Sequence, residues 1–340
     1  MIKKYKISVP KSTLNEIYKK VRNFPWSAAQ NMNGWEYGTN LNYLKSISKY
    51  WITKYNWKKF ENKINSFKNY KTKVEDINLH FIFEKSKNPN SKQLLLLHGW
   101  PGSITEFLDI IPRLAHPEKF GGKIEDGFDI IVPSLPGFGF SSQIKKALGP
   151  RKIGKILNKF MVKNLGYKNY FVQGGDWGAT IAGWIGLDSS KNCKGIHINC
   201  LPLRHPKGTK NIKEKKWEKK FNFDQIMQEG YRTQQATKPQ TLSYAMIDSP
   251  VGTAAWILEK FHGWSDLKMG KIEKTFSKDE LLSNIMIYII TKSFNTASWI
   301  YFGRRKEGGR SFPKNFKKIK VPTAIACLLY TSDAADDPTC

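Results

Sequence analysis

Acidic residues are scarce in this chain: 28 aspartates and glutamates stand against 56 lysines and arginines, a net charge of +28. Such a field could draw in nucleic acid or an anionic membrane. Most of the positive charge is lysine, however, spread along the whole length, with clusters at residues 213–216 and 317–320 in apparent turns. Readers of base sequence favour the bidentate fork of arginine. The excess therefore reads as a solvated surface, with no nucleic-acid partner. Cysteine is rare too. The four present (Cys193, Cys200, Cys327 and Cys340) form no C-x-x-C pair and no metal-ligand spacing. A disulfide framework is excluded, no metal or cofactor is expected, and Cys193 and Cys200 read as small core residues in a reducing compartment. Long apolar runs are missing: the longest, at residues 285–290, is far too short to span a bilayer. No apolar stretch follows the charges of Met1-Ile2-Lys3-Lys4-Tyr5-Lys6, as a secretory signal would require. The expectation is a soluble, cytoplasmic protein with no visible membrane anchor, unless further sequence precedes Met1.

What is present suits one large α/β unit with additions. Hydrophobic residues make up 40% of the 340 and aromatics 13%, enough for a packed core. Residues 1–75 read as a helical, aromatic-rich region. Leu14, Ile17 and Val21 recur at helical spacing after Ser12, a candidate cap. Tyr43, Leu44, Ile47, Tyr50, Trp51 and Tyr55 continue the pattern. The period then changes. Ile77 to Phe83 alternates as a half-buried strand, while Leu94-Leu95-Leu96-Leu97 is continuous, as in a strand covered on both faces. Residues 129–133, 170–174 and 196–199 repeat the strand texture, with helix-length segments at 106–114 and 153–165 between them. Buried strands alternating with helices predict a mostly parallel sheet with helices on both faces. Residues 76–202 form the first part of this core, 203–318 a helical lid, and 319–340 the last visible core strand with a tail.

Three turns carry the chemistry. Gly174-Gly175-Asp176-Trp177-Gly178 follows a strand and precedes a helix, which is the spacing of the nucleophile elbow of an α/β-hydrolase fold, with aspartate in the serine position. An aspartate, with a reference pKa of about 3.9, is ionised at neutral pH and needs no base to attack saturated carbon. The same string also fits an aspartate capping a helix at a glycine turn. His98-Gly99-Trp100-Pro101-Gly102-Ser103 follows the leucine strand, where the fold places one oxyanion-hole donor. The backbone N–H groups of Trp100 and Trp177 are the candidate donors. His98, Gly99, Pro101 and Gly102 are expected to orient that loop, His98 being on the wrong loop for a base. Pro136-Gly137-Phe138-Gly139-Phe140-Ser141 alone reads as a structural loop.

Taken in order, these motifs resemble the epoxide hydrolases of the microsomal and juvenile-hormone type. Trp35-Glu36-Tyr37-Gly38, Tyr50-Trp51 and Tyr55-Asn56-Trp57 carry the resemblance at the start. The His98 loop, the Pro136 loop and the Asp176 elbow follow. Ser249-Pro250-Val251-Gly252 and Trp256-Ile257-Leu258-Glu259-Lys260-Phe261 extend it, and the match spans roughly residues 1–326. The resemblance implies opening of small hydrophobic epoxides through an Asp176 ester, with water as co-substrate and vicinal diols as products. It also implies two lid tyrosines that protonate the leaving oxygen, at positions matching Tyr231 and Tyr301. A phenol suits that task because it keeps its proton at pH 7.

The pattern breaks after Ala326. The family places a triad acid just after the strand matching residues 321–326 and a histidine further on, but no histidine follows His262, and His197, His205 and His262 lack the expected context. Residues 327–340 contain no lysine, unlike the rest. They are expected to be a non-native continuation, leaving a chain without triad acid or histidine that can form the ester but not release it. A haloalkane dehalogenase would also use aspartate on this elbow, but its resemblance calls for asparagine where Trp100 stands. A catalytically dead binding protein of the same fold remains the alternative from another class.

Overall fold

The computed structural model describes residues 1–30, 32, 34–200, 211–213, 215, 216, 219, 228–267, 270–309 and 318–326. The tail at 327–340 and His205 lie outside the described residues.

Eight strands form one sheet: β1 (Ile2–Lys4), β2 (Asn69–Val74), β3 (Ile77–Glu84), β4 (Lys92–Leu97), β5 (Phe128–Pro133), β6 (Tyr170–Gly174), β7 (Cys193–Ile198) and β8 (Thr323–Ile325). Their order is β1-β2-β3-β5-β4-β6-β7-β8. β1 to β3 form an antiparallel meander and β3 runs antiparallel to β5, whereas every pairing from β5 across to β8 is parallel. Leu95, Leu96 and Leu97 are at most 2% exposed, because β4 is central and helices cover both faces. Among the helices, α4 (Ile111–Ala115), α5 (Pro150–Lys159) and α6 (Trp177–Asp188) belong to the core.

Several local readings shift. Residues 1–75 are not helical throughout, since β1 and β2 contribute the antiparallel edge of the main sheet. Helix α1 (Lys11–Arg22) begins at Pro10, with Ser12 already inside its first turn and not capping it. Proline at that boundary has no side-chain oxygen, so the N-cap residue offers the first-turn N–H groups no side-chain acceptor. β3 is buried at Leu79, His80, Phe81 and Ile82 alike, not at alternate residues. It lies inside the sheet, and Pro133, Val132 and Ile131 of β5 cover its flank. The helix expected at 106–114 is a 3₁₀ turn (Ile104–Phe107) followed by the short α4, and α5 continues into a π turn at Phe160–Asn164.

The remaining N-terminal helices, α2 (Leu41–Thr53) and α3 (Trp57–Asn65), lay their apolar faces on the later helical layer. That layer contains α7 (Gly230–Thr237), α8 (Pro239–Asp248), α9 (Pro250–Gly263), α10 (Lys278–Ile290) and α11 (Phe294–Lys306). Trp51 and Trp57 are fully buried at this contact, and the Tyr55 hydroxyl meets Ser283 Oγ at 3.1 Å. The Trp57 indole N–H donates to Glu61, which also accepts from the Val9 N–H and Lys58. The aromatic stripes therefore fasten the N-terminal segment to α9 and α10, directly above the sheet's carboxyl edge. No described helix is long and apolar enough to cross a membrane.

Candidate active site

Asp176 occupies the sharp turn between β6 and α6, with φ +47° and ψ −117°. A non-glycine residue with positive φ is strained, and the surroundings must hold it there. The small residues around it explain how. A Cβ on Gly178 would lie 1.9 Å from the Leu97 carbonyl oxygen, and one on Gly174 would lie 2.2 Å from backbone atoms of Gly178. These are backbone obstacles that cannot swing aside. Gly178→Ala is accordingly expected to destabilise the fold by about 3 kcal/mol or more, seen as a lower midpoint in chemical denaturation. An unchanged midpoint would contradict the close approach.

Although Asp176 stands at the N-cap of α6, it makes no capping hydrogen bond there. Its carboxylate turns instead to the neighbouring loop, where the Trp100 N–H donates to Oδ1 at 2.8 Å. The Trp177 N–H also favours the charged form of that carboxylate. The loop reaches this position because Gly99 has no side chain: a Cβ there would meet Asp176 Oδ1 at 2.3 Å. His98 is fully buried beneath it, with Nδ1 bonded to the Gly99 carbonyl at 3.0 Å and Nε2 accepting from the Leu135 N–H at 3.1 Å. Burial pushes the ring down to about 4, so it stays neutral and committed to backbone partners. The Trp100–Pro101 peptide is cis. Helix α10 secures the far side: Asn284 donates to the Pro101 carbonyl at 2.8 Å and the Tyr288 hydroxyl to the Gly102 carbonyl at 2.6 Å.

Tyr231 on α7 and Tyr301 on α11 converge over the elbow. Their ring centroids are 5.7 Å apart at 84°. The Trp100 indole lies parallel to Tyr231 at 5.3 Å, and Trp177 meets Tyr301 edge-on at 4.6 Å. Burial raises both phenols above their ordinary value. The Asp176 charge raises both further, while a hydrogen bond with Tyr301 pulls Tyr231 back. Both stay protonated near neutrality.

The carboxyl of Asp176 is pushed up to about 6, first by withdrawal from bulk water; the Trp100 and Trp177 N–H groups and the Arg304 charge oppose this. Asp176 is exposed by surface area, yet protein atoms crowd its carboxyl closely enough to raise it. Glu106 shares that setting, and withdrawal from water together with the Asp176 charge raises it to about 8. The Asp176 charge thus favours the protonated form of Glu106.

Three neighbours escaped the sequence reading. Glu106 lies three residues beyond Ser103, a spacing that suggests only a capping box. Arg304 is one helical turn after Tyr301, and its guanidinium lies 5.1 Å over the Trp177 ring. Cys200, read as core, is only partly buried and senses Asp176; burial raises its thiol to about 12, so it is not a thiolate near neutrality. Cys193 is fully buried, as a small core residue would be. Among the described residues no histidine bonds to Asp176. His197 lies on β7, and His262 stacks on Trp35 at 3.8 Å. No described cluster of three or more His, Cys, Asp or Glu could hold a metal.

Residues 2–107 match the family described as "Epoxide hydrolase N terminus", and residues 92–246 match "alpha/beta hydrolase fold". "Epoxide hydrolase 1" of Oryctolagus cuniculus is 34% identical over 355 aligned positions, covering 96% of this chain and 78% of that protein. The chain belongs to the epoxide hydrolase family. Among solved structures, the juvenile hormone epoxide hydrolase of the silkworm Bombyx mori superposes with TM-score 0.83 at 30% identity, covering 96% of this chain and 82% of that one. Aspergillus niger epoxide hydrolase superposes with TM-score 0.82 at 25% identity, covering 97% and 84%. The α/β-hydrolase fold and the hydrolase class expected from the motifs are those of this family, and epoxide and water are its substrates.

Proposed function

We propose that Asp176 is the nucleophile, that Tyr231 and Tyr301 are the proton donors, and that the favoured epoxides are hydrophobic. One observation carries the reading: a carboxylate on a strained elbow takes the Trp100 N–H at 2.8 Å in place of a capping bond, beneath two paired phenols. An Asp176 oxygen attacks an epoxide carbon. The carbon–oxygen bond of the ring breaks as that ester bond forms, and a tyrosine hydroxyl delivers its proton to the departing oxygen, solvent later replacing it. The Trp100 and Trp177 N–H groups hold the carboxylate for attack. When water adds to the ester, they would stabilise the oxyanion. Aromatic walls from Trp100, Trp177 and Trp264 favour apolar substituents on the ring.

Release of the ester needs water activated by a base. Incubation with styrene oxide, followed by intact-mass and peptide mapping, is expected to give one stoichiometric adduct on Asp176. An adduct on Cys200 alone would overturn the nucleophile assignment, and finding neither adduct nor diol would favour a binding protein without chemistry.

A further inference from the structure

The motif Trp256-Ile257-Leu258-Glu259-Lys260-Phe261 contains a cation that the reaction above does not use. Lys260 lies on α9 and is 3% exposed, although lysine is almost never fully buried without a partner. Its ammonium is 4.5 Å from the centre of the Tyr231 ring, 5.5 Å from Trp264 and 6.0 Å from Trp256. Glu259 Oε1 lies 2.7 Å away and is the charge balancing it.

We propose that Lys260 is a positioning residue for Tyr231, holding the ring by a cation–π contact and easing the loss of its proton. This rests on Tyr231 acting as a proton donor. A cation over an aromatic face is attracted to its electron density. As Tyr231 gives up its proton that density grows, so the attraction is greater at the transition state than before it. Only such a differential interaction accelerates chemistry. Trp256 and Trp264 keep water away from the ammonium, and a desolvated cation interacts more strongly than a hydrated one. Trp256 is itself anchored by its indole N–H to Gln235 at 3.2 Å, which ties the cage to α7, the helix that carries Tyr231. Arg232 and Glu229 also act on Tyr231, in opposite directions, the first lowering and the second raising it. Lys260 differs from both in lying against the ring itself.

The test reads the rate of adduct formation at saturating styrene oxide. K260M is expected to lower it about 10-fold, with little change in the half-saturating epoxide concentration, and K260R to restore most of it. In a Y231F background, K260M is expected to change the limiting rate by less than about 2-fold, because no phenol proton remains to be eased. E259Q, which leaves the ammonium less neutralised, is expected to raise the rate by about 3-fold. A merely structural lysine would slow both backgrounds equally, gain nothing from E259Q and need no charge for rescue; any of these results overturns the proposal. If K260M does not fold, K260Q and the E259Q arm carry the test. A Y231F chain that forms adduct as fast as the unaltered chain would refute the donor role of Tyr231, a failure separate from that of Lys260.

Discussion

Asp176→Asn is expected to abolish adduct formation, lowering its rate on the order of 10⁴-fold or more. Asparagine keeps the shape and a carbonyl oxygen for the Trp100 N–H, so the elbow and its 2.8 Å contact can persist. What disappears is the negative charge that makes the group a nucleophile. Circular dichroism should be unchanged and epoxide binding retained, which separates loss of chemistry from loss of fold. The unaltered chain supplies a companion result. Its adduct rate at low epoxide concentration should rise with pH through about 6, where the carboxyl of Asp176 ionises, and level off above. The sign follows from chemistry that requires the ionised form. Withdrawal from water raises this carboxyl, so the protonated, inactive form persists to higher pH than for an ordinary aspartate. A rate that remained flat down to about pH 4 would contradict the raised carboxyl of Asp176.

The second large effect is expected at the tyrosines. The Tyr231→Phe, Tyr301→Phe pair should slow ester formation by about 10²- to 10⁴-fold, the usual worth of general acid catalysis. Each single change should cost less than the pair, because the remaining hydroxyl can still serve the same oxygen. The rings are packed against Trp100 and Trp177, so removing only the hydroxyls leaves the aromatic packing in place. The slowing should be greatest for epoxides whose departing alkoxide is most basic, since these depend most on a proton donor. Equal slowing across a substrate series would assign the tyrosines to binding alone. Stopped-flow tryptophan fluorescence can follow both reactions, because Trp100 and Trp177 adjoin the nucleophile.

Much of this arrangement was legible in the chain. The leucine run at 94–97 and the apolar segments at 129–133 and 170–174 predict buried parallel strands, and they lie side by side in β4, β5 and β6. Gly174, Gly178 and Gly99 mark places where backbone or a carboxylate approaches too closely for any side chain. Local chemistry writes such constraints directly into residue type. The strands at 2–4 and 69–74 were illegible because pairing across the sheet, not local periodicity, makes them strands. The break of the expected helix at 106–114 likewise arises where the 3₁₀ turn packs on α10 and β5.

The scarcity of acidic residues bears on the same distinction. Sequence by itself determined that Asp176 sits at a glycine-lined strand–helix turn, that the His98 loop follows a central strand, and that apolar stripes must cover both. Small-residue spacing and hydrophobic period are local properties, so they survive without coordinates. Only tertiary structure decided that Glu106 faces Asp176, that Arg304 lies over Trp177, and that Lys260 is enclosed beside Tyr231. It also decided that α10, more than 170 residues downstream, clamps the loop carrying Trp100 through Asn284 and Tyr288. Charge and hydrogen bonding act through space between segments distant in the chain, and no local pattern encodes which of 56 cations will meet a particular ring.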